Sequence, residues 1–144
     1  ELPHLQNFVT LSPIPGLARW LRDRPEAAAA LKAAEAGDLA ALAEANDDLR
    51  HFAAVYLLEA RRADGLPLDP VARFHLGNGA LVHDVHALAD TARNGLAQSC
   101  GVMVNYLYER DTVEENHESF ASRRVVVASK AMRALLKPRA KSRR

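Results

Sequence analysis

The amino-acid sequence predicts an α+β fold that is mostly helical and includes part of a mixed β-sheet. One observation is the alanine-rich stretch at residues 25–64, where apolar side chains recur at helical spacing. The other is a set of three short apolar segments that are extended or β-branched and are bounded by glycine and proline. We expect strands at residues 6–11, 71–76 and 100–108. Three strands are too few to close a sheet around this core, so we expect an exposed sheet edge.

The composition is that of one small domain. With 144 residues, of which 49% are hydrophobic, the chain can bury a single core. The one cysteine, Cys100, excludes an internal disulfide and has apolar neighbours, so we expect a buried, unreactive thiol. No apolar run approaches the roughly 20 residues that span a bilayer, and we therefore expect no membrane partner.

The charge is unevenly distributed along the chain. The formal net charge is +1, but residues 137–144 hold five of the 19 basic residues and no acidic one. The remaining sequence is net negative, which argues against a nucleic-acid partner. We assign residues 1–136 to the domain and residues 137–144 to a solvated basic tail, with weak phosphate binding by the tail as the alternative.

Turn-forming and capping residues set the expected boundaries in the first half of the chain. A stiff, proline-rich turn at residues 13–16 precedes a short helix at residues 17–22. Within the alanine-rich stretch, Gly37 is expected to end one helix and Asp38 to cap the next. Asn46 is expected to cap a third helix.

In the second half, a turn at residues 65–70 precedes the expected strand at 71–76. The glycines at residues 77–79 are expected to break this strand and open a helix that runs to about Asp90. Residues 94–95 are expected to form another turn. Later helices are expected from the capping box of Thr112 and Glu115 to about Phe120, and from a Ser129 cap to Pro138.

Three segments hold polar side chains at rigid or glycine-rich turns. Because Pro13 restricts the residue before it, Ser12 is held in an extended conformation. On the residues alone, Ser12 is better explained as a turn serine bonded to nearby backbone. His75 has a similar alternative as a core histidine, although the glycines that follow it favour close approach by a ligand. The segments are Phe8-Val-Thr-Leu-Ser-Pro-Ile-Pro-Gly16, Phe74-His-Leu-Gly-Asn-Gly-Ala80 and Ser99-Cys-Gly-Val-Met-Val-Asn-Tyr-Leu-Tyr108.

Together and in this order, the three segments resemble the carboxy-terminal part of malonyl-CoA decarboxylase. The resemblance runs from about Phe8 to the final helix, which is nearly the whole chain. It implies a catalytic domain of the acetyltransferase-like (GNAT) type, so the strands would belong to a GNAT-like sheet. It also implies a longer protein, because the earlier strands and the glycine-rich loop for the coenzyme A pyrophosphate have no counterpart here.

The resemblance also implies roles for individual residues. Ser12 and His75 match the family's catalytic serine and histidine, and both are expected to contact the substrate. Tyr108 matches a tyrosine at the family's active site, which implies a hydrogen-bonding role; the alternative is an aromatic packed at a strand end. Asn78 is a further candidate for substrate binding, and the alternative is a cap on the following helix.

The implied reaction is the decarboxylation of malonyl-CoA to acetyl-CoA and carbon dioxide. Loss of carbon dioxide leaves an enolate that aimed donors stabilise and that a positioned acid protonates. A histidine titrates near the working pH, so it can supply this proton. The thioester is itself the electron sink, so we expect no metal and no organic cofactor.

A zinc site is a weaker alternative. His83, His86 and Asp90 would share one face of the expected helix at spacings of three and seven residues. No sharp motif supplies further ligands. A solvated polar face is therefore the better explanation.

A rival hypothesis belongs to another class of protein. The chain could be a non-catalytic fragment or scaffold that needs a separate chain carrying the coenzyme A loop. For the enzyme, the resemblance implies a homo-oligomer in its full-length form. The alanine- and arginine-rich composition without targeting signals suggests a cytoplasmic, bacterial form.

Overall fold

The computed structural model describes residues 7–137, which form eight α-helices and four strands in that range. A 3₁₀ turn at Pro25–Ala27 leads into the second helix. The strands are β1 (Asn7–Val9), β2 (Ser12–Pro13), β3 (Leu81–His86) and β4 (Met103–Glu109). The helices are α1 (Leu17–Leu21), α2 (Ala28–Ala36), α3 (Leu39–Glu44), α4 (Asn46–Glu59), α5 (Pro70–Gly77), α6 (Arg93–Ser99), α7 (Val113–Arg123) and α8 (Lys130–Ala134).

Strand β4 is the centre of the sheet. It pairs with β3 along one edge and with β1 and β2 along the other. The register of β1 and β2 is continuous, since Val9 lies opposite Leu107 and Ser12 lies opposite Val104. From Asn7 onward, the strand expected at residues 6–11 is thus present as β1 and β2, which share one register.

The α+β class and the predominance of helices are confirmed, but the expected mixed sheet is not what the described residues form. Every pairing among the four strands is antiparallel. The only parallel pairing in residues 7–137 is an isolated bridge between Val82 and Ala128.

The expected strand at residues 71–76 is wrong, because this segment is helix α5. The Asp69 carboxylate accepts a hydrogen bond from the Ala72 backbone N–H at 2.9 Å, and Pro70 occupies the first helical position. Both features start a helix. Ala72 and Leu76, four residues apart, then bury one face of it.

The expected helix from residue 80 to Asp90 is also wrong. Residues 77–79 end a helix, and β3 follows, paired with β4 and carrying a bulge between Val82 and Asp84. The turn expected at residues 94–95 lies inside α6 instead. Gly95 has a packing role there, because a side chain at this position would overlap the carboxylate of Asp90.

Several boundaries are confirmed. Gly37 ends α2 with a φ of 68°, and Asp38 caps α3 by accepting from the Ala41 N–H. Ser129 caps α8 by accepting from the Met132 N–H. The strand expected at residues 100–108 is present as β4, displaced by three residues at its start.

Two caps differ from expectation. The cap of α4 is Ala45, and Asn46 is the first residue of the helix. Thr112 precedes α7 but makes no capping bond; its hydroxyl donates to the Glu109 carboxylate and accepts from the Asn116 side chain. The expected stop at Pro138 and most of the tail at 137–144 lie outside the described residues.

Helix α4 forms the middle of the hydrophobic core. Its buried side chains pack between α1 and β3, and the inward residues of β4 complete the core. No helix in residues 7–137 is long and apolar enough to cross a bilayer. The largest fully buried side chains include Ile14, Leu17, Leu21, Leu42, Leu49, Leu57, Leu76, Val82, Val85, Tyr106 and Met132.

The outer edge of β1 and β2 is apolar and uncovered by the described residues. Phe8, Val9 and Leu11 are each about half exposed along it. We expected such an edge for a sheet that continues in another part of a longer polypeptide. That continuation stays a prediction.

The junction after α5 supplies a stability prediction. Gly79 has a φ of +93°, and a methyl group there would overlap the backbone carbonyl of Val113. Gly37 also has a positive φ, but a methyl group there would meet open space. We expect Gly37→Ala to cost about 1–2 kcal/mol, the usual penalty for a left-handed alanine, and Gly79→Ala to cost clearly more.

The measurement is the urea midpoint of each variant, with Gly37→Ala as the matched control. Equal midpoints in the two variants would show that Val113 moves aside at no cost and that the close packing at Gly79 adds nothing to stability.

Candidate active site

Ser12 is held by the strand and the turn that follow from its sequence. It lies in β2 opposite Val104, and its side chain is buried. Pro13 and Pro15 restrict the turn, and Ile14 between them is fully buried in the core. The serine therefore has little backbone freedom where the strand ends.

His75 comes from the last turn of α5 and is half-buried. Helix α5 is fixed at its start by the Asp69 cap and along its length by the buried side chains of Ala72 and Leu76. The ring of His75 reaches the sheet face formed by alternate residues of β4, where it contacts Tyr106 and Tyr108.

Four side chains form a continuous chain of hydrogen-bonding distances. Ser12 Oγ lies 3.3 Å from His75 Nε2, and His75 Nδ1 lies 2.7 Å from Tyr108 Oη. Beyond the serine, Thr10 Oγ1 lies 2.9 Å from Ser12 Oγ. Ser12 and His75, which the resemblance expects to contact one substrate, thus lie next to each other, although His75 comes from a helix and not from the expected strand.

Aromatic rings fix the histidine from two sides. The His75 ring stacks on Tyr106, with centroids 4.4 Å apart and planes 20° apart. Tyr108 meets the same ring at a steep angle and is itself stacked on Phe8 at 4.7 Å. Phe74 adds an edge contact on the exposed side. These contacts leave the imidazole few alternative orientations.

Burial controls the protonation of the site. It lowers the pKa of the His75 imidazole below its ordinary value and raises the pKa of the Tyr108 hydroxyl. Both groups are therefore neutral near pH 7. A neutral imidazole has one N–H and one lone pair, so one ring nitrogen donates and the other accepts.

Asn78 does not join this chain of contacts. Its side-chain amide donates to the Phe74 carbonyl at 3.0 Å, at the carboxy-terminal end of α5. It therefore caps the preceding helix, not a following one. Substrate binding by Asn78 stays a prediction.

The proposed zinc face is wrong in its geometry. His83 is the extra residue at the bulge of β3, and His86 is the last residue of that strand. Asp90 lies in the loop beyond, where it accepts from the Ala92 N–H. Within residues 7–137, no group of three or more His, Cys, Asp or Glu side chains could hold a metal ion.

Cys100 is buried as expected, and burial raises the pKa of its thiol to about 11.

Sequence reasoning missed three residues around the site: Thr10, Asp69 and Tyr106. Strand alternation could have found two of them, because Thr10 is two residues from Ser12 and Tyr106 is two residues from Tyr108. The signal for Asp69 was the Asp-Pro pair at a helix start.

Comparison with known proteins places this chain in a family. A family model described as the malonyl-CoA decarboxylase C-terminal domain matches residues 1–144. The mitochondrial malonyl-CoA decarboxylase of Rattus norvegicus is 31% identical, and the match covers 94% of this chain and 34% of that protein. That of Anser anser anser is 28% identical, with 90% of this chain and 32% of that protein covered.

Solved structures agree with these relatives. The malonyl-CoA decarboxylase of Rhodopseudomonas palustris superposes with a TM-score of 0.83 and 43% identity over 94% of this chain and 34% of that one. The enzyme of Agrobacterium vitis gives a TM-score of 0.82 and 41% identity over 94% of this chain and 37% of that one.

The chain spans about a third of the length of the curated relatives that it matches. The family match, in contrast, covers every residue of the chain. The chain therefore belongs to the malonyl-CoA decarboxylase family and corresponds to its carboxy-terminal domain.

Proposed function

We propose that this domain supplies the acid–base residues of an enzyme that decarboxylates malonyl-CoA to acetyl-CoA and carbon dioxide. The observation that carries the proposal is the chain of hydrogen-bonding distances from Ser12 through His75 to Tyr108. A serine, a histidine and a third group that orients the histidine form a recurring unit for moving protons. The relatives that share the fold are named malonyl-CoA decarboxylases.

The reaction needs one bond broken and one proton delivered. The bond between the carboxylate carbon and the α-carbon breaks, and its electron pair moves into the thioester as an enolate. Carbon dioxide leaves, and the α-carbon then takes a proton. The protein must stabilise the negative charge on the thioester oxygen and place an acid next to the α-carbon.

His75 is the proposed acid. Burial favours its neutral form in the free site, whereas a bound malonyl carboxylate, being an anion, favours the charged form. The imidazole would then take up a proton when the substrate binds. Nε2–H would deliver its own proton to the α-carbon as carbon dioxide leaves, and the ring is then neutral again with the acquired proton on Nδ1.

Tyr108 suits both protonation states of His75. A neutral hydroxyl can donate to an unprotonated Nδ1 and can accept from a protonated one. When Tyr108 donates, the imidazole keeps its proton on Nε2, the nitrogen that faces Ser12. Tyr108 would thereby keep the proton on the side of the ring where the reaction occurs.

Ser12 is the proposed contact to the substrate carboxylate. Its hydroxyl lies between Thr10 and His75, so it can accept from one neighbour and donate elsewhere. A hydrogen bond to the carboxylate would orient the bond that breaks. Ser12 would also keep water from His75 Nε2.

The thioester supplies the electron sink, so the proposed reaction runs with no metal and no organic cofactor. The domain would lie within a GNAT-like catalytic domain whose other strands and coenzyme A loop come from the rest of a longer protein. We also propose a homo-oligomer of that protein. A cytoplasmic location stays a prediction, and the curated relatives are named as mitochondrial.

One fact supports the rival proposal, which is a non-catalytic fragment or scaffold that needs a separate chain. The chain spans about a third of its relatives, so activity can depend on residues outside it. Assay of malonyl-CoA decarboxylation by this domain alone and in the full-length protein separates the two proposals.

The first prediction concerns the titration of His75. Because burial disfavours its charged form, we expect the imidazole to titrate below 6.5 in the ligand-free protein. The unfolded chain then binds more protons than the folded one just below pH 6.5. His75 therefore costs the folded protein no stability at higher pH, and it lowers the free energy of unfolding as the pH drops through this window.

The measurement is an NMR titration of the imidazole resonances, assigned with a His75→Gln variant. A midpoint above 6.5 would show that burial does not control this ring.

The second prediction concerns turnover. In the full-length protein, we expect His75→Ala to lower kcat by roughly 10²–10⁴-fold, the usual scale for a positioned acid or base. Ser12→Ala should also lower kcat and leave the affinity for coenzyme A nearly unchanged. His83→Ala is the matched control, since His83 is an exposed strand residue outside the chain of contacts.

Steady-state decarboxylation rates and coenzyme A binding test these outcomes. Full turnover in the His75 variant contradicts the mechanism. Loss of turnover in the His83 variant that added zinc restores would support a metal site instead.

The third prediction concerns Tyr108→Phe. This variant keeps the ring stacked on Phe8 and removes only the hydroxyl that faces His75 Nδ1. We expect kcat to fall by roughly 3- to 10-fold, the effect of losing one hydrogen bond. An unchanged kcat across pH 5–9 would exclude a role for Tyr108 in orienting the imidazole.

A further inference from the structure

A buried carboxylate and two buried phenols lie next to the candidate site. Asp69 precedes α5, Tyr106 lies in the middle of β4, and Tyr56 comes from α4. Their exposed fractions are 0%, 0% and 2%. Buried polar groups normally pair with one another or with backbone, so a cluster of three in the core calls for an explanation.

Two atoms of this cluster have no hydrogen-bond partner among the described residues. Oδ2 of Asp69 accepts from the Ala72 N–H, whereas Oδ1 has no partner at ordinary hydrogen-bond geometry. The Tyr56 hydroxyl is the side chain that interacts most strongly with this carboxylate. The Tyr106 hydroxyl is unpaired as well. A phenylalanine would give His75 the same stacking ring without burying a hydroxyl, so packing alone does not account for a tyrosine at this position.

The two unpaired groups are complementary, because a phenol donates and a carboxylate accepts. They are also within electrostatic reach of each other. After burial, which is the larger cause, the charge of Asp69 raises the pKa of Tyr106. Burial raises the pKa of Asp69 itself.

The same carboxylate also faces Tyr56, whose pKa is raised by burial and then by Asp69. Tyr56 lies against the start of α1, since a side chain at Gly16 would overlap the Tyr56 hydroxyl. Gly16 is four residues after Ser12. Asp69 therefore interacts with Tyr56 on the serine side of the site and acts electrostatically on Tyr106 on the histidine side.

We propose that Asp69 and Tyr106 are positioning residues that together set the contact between His75 and Ser12. Asp69 caps the helix that carries His75, and Tyr106 stacks on the His75 ring. Neither residue would touch the substrate. Each acts through His75, so this inference depends on the proposed function for its kinetic test.

The experiment uses two nearly isosteric variants of the full-length protein. Asp69→Asn keeps an oxygen that can cap α5 and removes the charge. Tyr106→Phe keeps the stacked ring and removes the hydroxyl. We expect each variant to lower kcat by roughly 10-fold or more and to leave KM nearly unchanged, since small displacements of a catalytic group reduce rates to this extent.

The double variant is the decisive case. If the two residues act as one unit, the double variant should lose no more kcat than the worse single variant. If the fold-loss of kcat in the double variant equals the product of the two single losses, the proposal is overturned. An unchanged kcat in either single variant would overturn it as well. Asp38→Asn is the matched control, because Asp38 caps α3 in the same way and is exposed, far along the chain from the site.

Crystal structures of the two single variants give a readout that needs no activity. We expect the separation of 3.3 Å between Ser12 Oγ and His75 Nε2 to be lost in both. An unchanged separation in both would overturn the proposal. If the unsubstituted full-length protein fails to decarboxylate malonyl-CoA, the proposed function fails, and these structures still decide whether Asp69 and Tyr106 position the histidine.

Discussion

The antiparallel register of β4 with the strand that leads to Ser12 is the constraint on which the candidate site depends. This register puts Phe8 opposite Tyr108 and Ser12 opposite Val104. Because side chains alternate along a strand, Val104, Tyr106 and Tyr108 lie on one face of β4 together with Ser12. A slip of one residue would move the tyrosines to the other face and leave His75 without either contact.

Helix α5 completes the site because it packs on this face. Its position is fixed at both ends, by the Asp69 cap at the start and by the left-handed Gly79 after its last turn. Gly79 also accepts a hydrogen bond from Asn116 through its carbonyl, which connects the end of α5 to α7. The histidine therefore has a rigid support, as a catalytic geometry requires.

Local signals in the sequence predicted the extended conformation of Ser12, the helix stop at Gly37 and the caps at Asp38 and Ser129, because each depends on a few neighbouring residues. Whether residues 71–76 form a strand or a helix could not be decided from a few neighbouring residues in the same way. A short apolar run fits a strand or a buried helix equally well, and only the Asp-Pro start distinguishes them. Strand β3 was mistaken for a helix because its pairing with β4 joins residues about 20 positions apart. The meeting of Ser12 and His75 came from the family resemblance, since no spacing in the sequence brings residues 12 and 75 together.

Asp69 is buried more deeply than a helix cap requires. As a helix cap, Asp69 needs only its bond to the Ala72 N–H, and an exposed aspartate would serve, as Asp38 does for α3. Asp69 is instead completely buried, with one oxygen left over. Burying a carboxylate is unfavourable unless its remaining oxygen has a use. In the proposed positioning role, the charge of Asp69 acts on Tyr106, whose ring stacks on His75, and a better defined site offsets the unfavourable burial.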